Sequence, residues 1–197
     1  MMEEISNDKE VLLKQYKQYL NNIIGEDLTN SLIKELGGDD KIKNATFGMT
    51  KDSGCAYDGS FLYNVIRLCF ICCKLNDILP EENRLNKKTI FKVVLLQHIS
   101  KVNMFIKNDN EWEVSKRGIL YKFSDEKDVC LKGGEKSILI LNNVGVKIDK
   151  NEFEALRIID KTKENDNNII AYSGILSTII RIGNEILSLI NRKNNDR

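Results

Sequence analysis

The residue with the clearest capacity for chemistry is His98, because it is the only histidine in the chain. Any Ser/His/Asp or Cys/His nucleophilic site would have to use this imidazole as its base. Its neighbours in residues 93–99 (VVLLQHI) are almost all apolar, which is typical of a buried helix. We therefore expect His98 to be a hydrogen-bonded structural histidine rather than a catalytic base.

Closely spaced cysteines indicate a second kind of chemistry. Cys69, Cys72 and Cys73 have the C-x-x-C spacing of half a zinc site. The remaining possible ligands are Cys55, Cys130 and His98. The trio lies in an apolar helical run, however, where cysteine usually behaves as a small core side chain. Reduced and buried thiols are therefore the expectation, and zinc binding by the trio stays an open alternative.

A glycine-rich segment, residues 133–137 (GGEKS), has some features of a phosphate loop. Backbone amides at the start of a helix attract anions. The segment lacks the spacing of a Walker loop and the strand–glycine–helix context of a dinucleotide fold. We expect an ordinary turn that leads into a helix.

Hydrophobic periodicity places these residues on helices, because apolar side chains recur at three- and four-residue steps along most of the chain. Gly25, Pro80 and Gly145 provide stop signals, and the pair Asp149 and Glu152 has the spacing of a capping box. The predicted helices cover about residues 11–24, 28–36, 59–79, 87–105, 135–144, 150–159 and 172–192. Residues 39–58 have no clear period and are predicted to form a long connection.

One segment changes period from helix to strand. In residues 112–123, Trp112, Ile119 and Tyr121 belong to an alternating apolar pattern around a Lys-Arg-Gly turn, which predicts a short β-hairpin. The fold class is therefore mainly α, with one hairpin and extra N-terminal helices. We divide the chain into an N-terminal helical extension (residues 1–48) and a helical domain (residues 49–197), which together form one compact unit.

Composition narrows the classes of partner and location. Thirty Lys and Arg residues face 29 Asp and Glu residues, so no global field favours nucleic acid, and such a partner is not expected. The first ten residues lack the basic and apolar parts of a secretory signal. The apolar stretch 169–190 contains Arg181, Asn184 and Glu185, which argues against a membrane span. A cytoplasmic protein is predicted, not a secreted one.

Three segments together resemble a family of HD-domain phosphohydrolases found in phages and gut bacteria. Residues 56–64 (AYDGSFLYN) are similar to the family pattern A-Y-x-G-G-L-L-E-H, and residues 95–103 (LLQHISKVN) to L-L-H-D-x-C-K-x-N. Residues 132–137 (KGGEKS) are similar to G-H-G-E-K-S. The resemblance covers about residues 45–190 and implies an HD-type helical bundle.

In that family the motifs supply the histidines and aspartates that bind a divalent metal, and this chain differs at each position. The resemblance places the ligand positions at Asn64, Gln97, His98, Gly133 and Asn184. A weaker match after residues 154–156 places one further ligand position at Lys161. Amides are weak ligands and glycine has no side chain, so the resemblance implies a site without metal. The amides can instead hydrogen-bond one another and His98.

We therefore predict a catalytically inactive HD-fold protein that acts as a structural or protein-interaction component. If the source is a phage, which the abundance of Lys, Asn and Ile permits, a place in a virion or an assembly is expected. No catalytic, cofactor-binding or metal-binding residue is predicted. The expected partners are other protein subunits or further copies of the chain.

Two alternatives stay open. The first is a sensor that binds a nucleotide or phosphate ligand without cleaving it, and it requires the lysines of one pocket to converge. These are Lys101, Lys132 and Lys136. A pocket packed shut by Phe61, Leu96 and Met104 would favour the structural role instead. The second alternative is a residual metal-dependent phosphohydrolase that uses Asp58, His98 and Glu135.

Overall fold

The protein is described by a computed structural model that covers residues 5–124, 131–160 and 173–195. Within these ranges the chain is mainly helical with one two-stranded antiparallel sheet, which confirms the predicted fold class. The elements are α1 (Lys9–Ile24), α2 (Glu26–Glu35), α3 (Asp39–Asn44), α4 (Ser60–Ile78), α5 (Lys87–Gln97), α6 (Lys101–Met104), β1 (Phe105–Lys107), α7 (Glu111–Arg117), β2 (Tyr121–Phe123), α8 (Gly133–Val144), α9 (Lys150–Arg157) and α10 (Ile175–Asn195).

Most helix ends follow the predicted signals. Gly145 ends α8 in the left-handed conformation, with a φ of 85°. Asp149 and Glu152 form the predicted capping box at the start of α9: the Asp149 carboxylate accepts from the Glu152 amide at 2.9 Å, and the Glu152 carboxylate accepts from the Asp149 amide at 3.0 Å. These reciprocal bonds satisfy two amide groups that a helix leaves without an internal partner.

The prediction that residues 39–58 form a connection without regular secondary structure was wrong. It contains α3, and Lys51–Ser53 forms a short 3-10 helix. Acidic side chains occupy the first turn of α3 and lysines its last turn, which suits the helix dipole. Only Ile42 of this short helix is buried, and one buried position gives no periodicity that a sequence pattern could show.

The sheet exists, but its first strand lies upstream of the predicted hairpin. Phe105 pairs with Phe123 and Lys107 with Tyr121, so β1 precedes residue 112. The residues between the strands form α7 because the Asn110 side chain accepts hydrogen bonds from the first amides of the helix. Gly118 ends the helix in the left-handed conformation. Residues 112–114, whose alternating pattern predicted a strand, therefore lie in a helix.

The helix predicted over residues 87–105 is interrupted after Gln97. The backbone amide of Ser100 donates to the Ser137 hydroxyl at 3.3 Å, and the Ser100 hydroxyl donates to the Gly133 carbonyl at 2.9 Å. Contacts with α8 thus replace helical hydrogen bonds at this point. The interruption separates α5 from α6 and places His98 in the bend between them.

α4 lies at the centre of the fold, in contact with α1, α5 and α10. Gly183 allows α10 to approach α4 closely, since a Cβ atom at this position would lie 2.5 Å from the Cys72 sulfur. No helix in the described ranges is long and apolar enough to cross a membrane.

The N-terminal helices share this core. Leu12, Leu13, Tyr16 and Leu20 of α1 are buried, and the Tyr16 hydroxyl donates to the carbonyl of Leu95 in α5 at 3.1 Å. The predicted division at residue 48 therefore separates segments whose side chains pack together, and it stays a prediction.

Candidate functional site

Three of the positions at which the family resemblance places metal ligands form one hydrogen-bonded group. We call this group, which consists of Gln97, His98 and Asn184, the amide–imidazole network. The His98 Nε2 and Asn184 Oδ1 atoms lie 2.9 Å apart, and Asn184 Nδ2 donates to Gln97 Oε1 at 3.4 Å. Asn184 Nδ2 also donates to the Ile180 carbonyl at 2.9 Å. Since the Asn184 amide nitrogen has these acceptors, its oxygen accepts from His98, and the imidazole proton lies on Nε2.

His98 is a buried imidazole that stays neutral. It is 6% exposed, and burial lowers its pKa to about 3, with the nearby Lys101 cation as a further cause. The Phe47 ring packs edge-on against the imidazole at a centroid distance of 4.8 Å. His98 Nδ1 and Gln97 Nε2 are buried without a hydrogen-bond partner in the described part of the chain.

Asn64 belongs to a separate pair on the same side of α10. Its Oδ1 atom accepts from Asn191 Nδ2 at 2.7 Å, and its Nδ2 atom donates to the Ser60 carbonyl at 2.7 Å. Asn191 follows Asn184 by two helical turns, so both asparagines project from one face of α10, separated by about 10 Å along the axis. A neutral polar seam therefore joins α4 and α5 to α10.

Gly133 lies at the first position of α8 and takes part only through its backbone. Its carbonyl accepts from the Ser100 hydroxyl, and the Ser137 hydroxyl lies 2.9 Å from the Gln97 carbonyl. The serines thus connect the start of α8 to the end of α5. The segment 133–137 is the first part of α8 itself, and not the turn before a helix that the sequence predicted, and Ser137 is buried in the core.

Two neighbouring clefts open on the network and share His98, Asn184, Ser188 and Arg192. Their volumes are about 500 and 630 Å³, within the range of small-molecule sites. The larger cleft also contains Lys101, so open space borders the network next to this lysine.

Lys101 is the unusual charge in this cleft. Its ammonium group donates to the Phe47 carbonyl at 2.7 Å and lies 3.8 Å from the centre of the Phe47 ring. It forms no ion pair with the described residues, and burial lowers its pKa to about 8. This partly buried cation contacts a carbonyl and a ring but lies within ion-pair distance of no carboxylate of the described residues, which favours binding of an anion.

The lysines of the sensor alternative do not share one pocket. Lys101 lies in the cleft beside His98, whereas Lys136 lines a different cavity together with Met104. Phe61 and Leu96 are buried in the core. The structure therefore does not show lysines that converge in one pocket, which would favour the sensor. It also does not show a pocket closed by Phe61, Leu96 and Met104, which would favour the structural role.

The residues of the hydrolase alternative are held apart by other partners. Asp58 accepts from the Tyr121 hydroxyl at 2.7 Å and pairs with Lys107, which also lowers the pKa of its carboxyl group. Glu135 pairs with Arg157 at 3.3 Å. No contact joins either carboxylate to His98 in the described residues, so the structure does not bring these groups together.

The cysteine trio lies within the core. Cys69 and Cys72 are fully buried, and the Cys72 thiol contacts the Ile179 carbonyl at 3.8 Å. Burial raises the pKa of Cys72 to about 12, which disfavours the thiolate that zinc requires. The described ranges contain no group of three His, Cys, Asp or Glu side chains that could hold a metal ion. Cys130 and Lys161 lie outside the described residues.

Sequence reasoning missed two parts of this site. Asn191, the partner of Asn64, has no motif and is recognisable only from its position seven residues after Asn184 on an apolar helix. Phe47 lies in the predicted connection, where nothing indicated contact with His98 and Lys101. Comparisons of the chain with protein-family models, curated proteins and solved structures found no match.

Proposed function

We propose that the chain is a catalytically inactive helical protein of HD type that serves as a structural or protein-interaction component. The observation that carries this proposal is the amide–imidazole network, in which neutral side chains occupy three of the positions where the resemblance expects metal ligands. His98 uses its Nε2 proton to bind Asn184, and Gln97 and Asn184 offer only weak amide ligands.

Exposed aromatic and aliphatic side chains support an interaction role. Trp112, the only tryptophan, is 61% exposed on α7, and Ile106 is 41% exposed on the adjoining strand. Both large apolar side chains are therefore accessible to another protein, and aromatic side chains are common in protein interfaces.

The first prediction concerns metal content. After incubation with manganese, iron, zinc or nickel and removal of the excess, we expect less than about a tenth of an equivalent of metal per chain. The informative variant restores the ligand types at all five positions: Asn64→His, Gln97→His, His98→Asp, Gly133→His and Asn184→Asp. It is expected to bind about one equivalent. Elemental analysis by plasma mass spectrometry measures both.

The comparison needs a folded variant, which circular dichroism and a cooperative melting transition establish. Stoichiometric metal in the natural chain would contradict the proposed function. A folded variant with all five substitutions that binds no metal would contradict the HD resemblance on which the proposal rests.

A second candidate function, a sensor of phosphate-bearing ligands, is favoured by one observation. Lys101 has no ion pair with a described carboxylate, and it lies in an open cleft that also contains Arg192 and Asp52. We expect AMP to bind in this cleft, and Lys101→Met to weaken binding by at least about tenfold because a charged contact is worth about 1.5 to 3 kcal/mol. Isothermal titration calorimetry measures the change.

Lys150→Met provides the matched control, since Lys150 is an exposed residue of α9 outside the cleft. Equal AMP affinity in the Lys101 and Lys150 variants, or no saturable binding by the natural chain, would exclude this second candidate.

A further inference from the structure

A separate cavity of about 490 Å³ lies between α2, α6, α8 and the end of β2. It is more enclosed than the clefts beside His98. Its apolar wall includes Phe123 and Leu139, which are 58% and 45% exposed, together with Met104 and Ile140. Large apolar side chains that remain accessible around an enclosed space are typical of sites for small ligands.

The charge at this cavity comes mainly from Lys136. Its ammonium group has no ion pair with the described residues, and it lies in the first turns of α8, where the helix dipole adds positive potential. Glu35 also lines the cavity, but it is an exposed residue and water screens its charge. The potential inside the cavity therefore favours an anion.

We propose that this cavity binds a small organic acid, with its apolar body against Phe123, Leu139 and Met104 and its acidic group at Lys136. The apolar wall contacts the hydrocarbon part of the ligand, and the ammonium group of Lys136 binds its acidic group. Serine and asparagine side chains, among them Ser100, complete the polar side of the cavity. This inference depends on the cavity alone and not on the HD resemblance.

The test is isothermal titration calorimetry of the full chain with sodium octanoate. We expect saturable binding with a dissociation constant below about 1 mM. Lys136→Gln is expected to weaken it by at least about fivefold through loss of the charged contact. Leu139→Trp is expected to abolish binding because the larger ring fills the cavity from an exposed position that tolerates substitution.

Lys150→Gln is the matched control and should bind octanoate as the natural chain does. Octylammonium, which has the same body and the opposite charge, should bind at least about fivefold more weakly than octanoate. The proposal is overturned by an absence of saturable octanoate binding, by equal binding of the two probes, or by unchanged affinity in both cavity variants. Loss of binding in Lys101→Met but not in Lys136→Gln would also overturn it, because the ligand would then occupy the cleft beside His98.

Discussion

Replacement of Glu152 by alanine is expected to lower the free energy of unfolding by about 3 kcal/mol, because it leaves the largely buried ammonium group of Lys92 without its counter-ion. Lys92 Nζ lies 2.6 Å from Glu152 Oε2, and the two side chains are 19% and 7% exposed. Glu152 also accepts from the Asp149 amide, so the substitution removes half of the capping box of α9. Urea denaturation at neutral pH measures the loss.

Two comparisons separate the buried charge from the general cost of a substitution. Asp77 pairs with Lys87 on the surface, where the side chains are 49% and 58% exposed. Asp77→Ala should cost less than about 1 kcal/mol. The double variant Lys92→Met/Glu152→Met removes both charges and should be more stable than Glu152→Ala alone. Equal losses for Glu152→Ala and Asp77→Ala would contradict the prediction.

As the pH decreases from 6.5 to 5, the protonation of His98 is expected to lower the free energy of unfolding by about 1.6 kcal/mol. Burial lowers the pKa of His98 from 6.5 to about 3 in the folded state. Between these values the unfolded chain binds a proton that the folded chain does not, so acid favours unfolding. The contribution is complete above about pH 6.5 and is lost progressively below it.

His98→Gln removes the titrating group and keeps a side chain that can bond to Asn184. Urea denaturation of both proteins between pH 5 and 7.5 should give curves that converge toward low pH, with a variant that is less sensitive to acid. As the only histidine, His98 also gives a single imidazole NMR signal, which should stay in its neutral form at pH 5. Parallel stability curves, or protonation near pH 6.5, would contradict the predicted burial of the imidazole.

The long helices were predictable because their apolar side chains repeat over several turns. α10 buries one face along its length, and α4 is buried around most of its surface, so both patterns extend over several turns. The strand at residues 105–107 was not predictable, since it is short and directly follows α6. Pairing with residues 121–123 decides its conformation, and that information lies elsewhere in the chain.

The residues of the site also differ in whether a single segment of the sequence could indicate them. The neighbouring residues Gln97 and His98 were singled out from one segment, and the resemblance added Asn184 from another. The Asn64–Asn191 bond joins residues that are 127 positions apart, and no local pattern indicates such a partner. Lys101 was recognised as a possible anion contact, but its enclosure by Phe47 depends on how residues 45–55 fold back over the bend after α5.

The packing of α10 on α4 sets a condition on the order of events during synthesis. Cys72 contacts Ile179, 107 positions later, and Gly183 fits against Leu68 and Cys72. Residues 175–195 provide these contacts in the described part of the chain, so a nascent chain lacks them until this helix has left the ribosome. The native core therefore forms late. Truncated chains leave an apolar part of α4 exposed, where chaperones or other copies of the chain can bind.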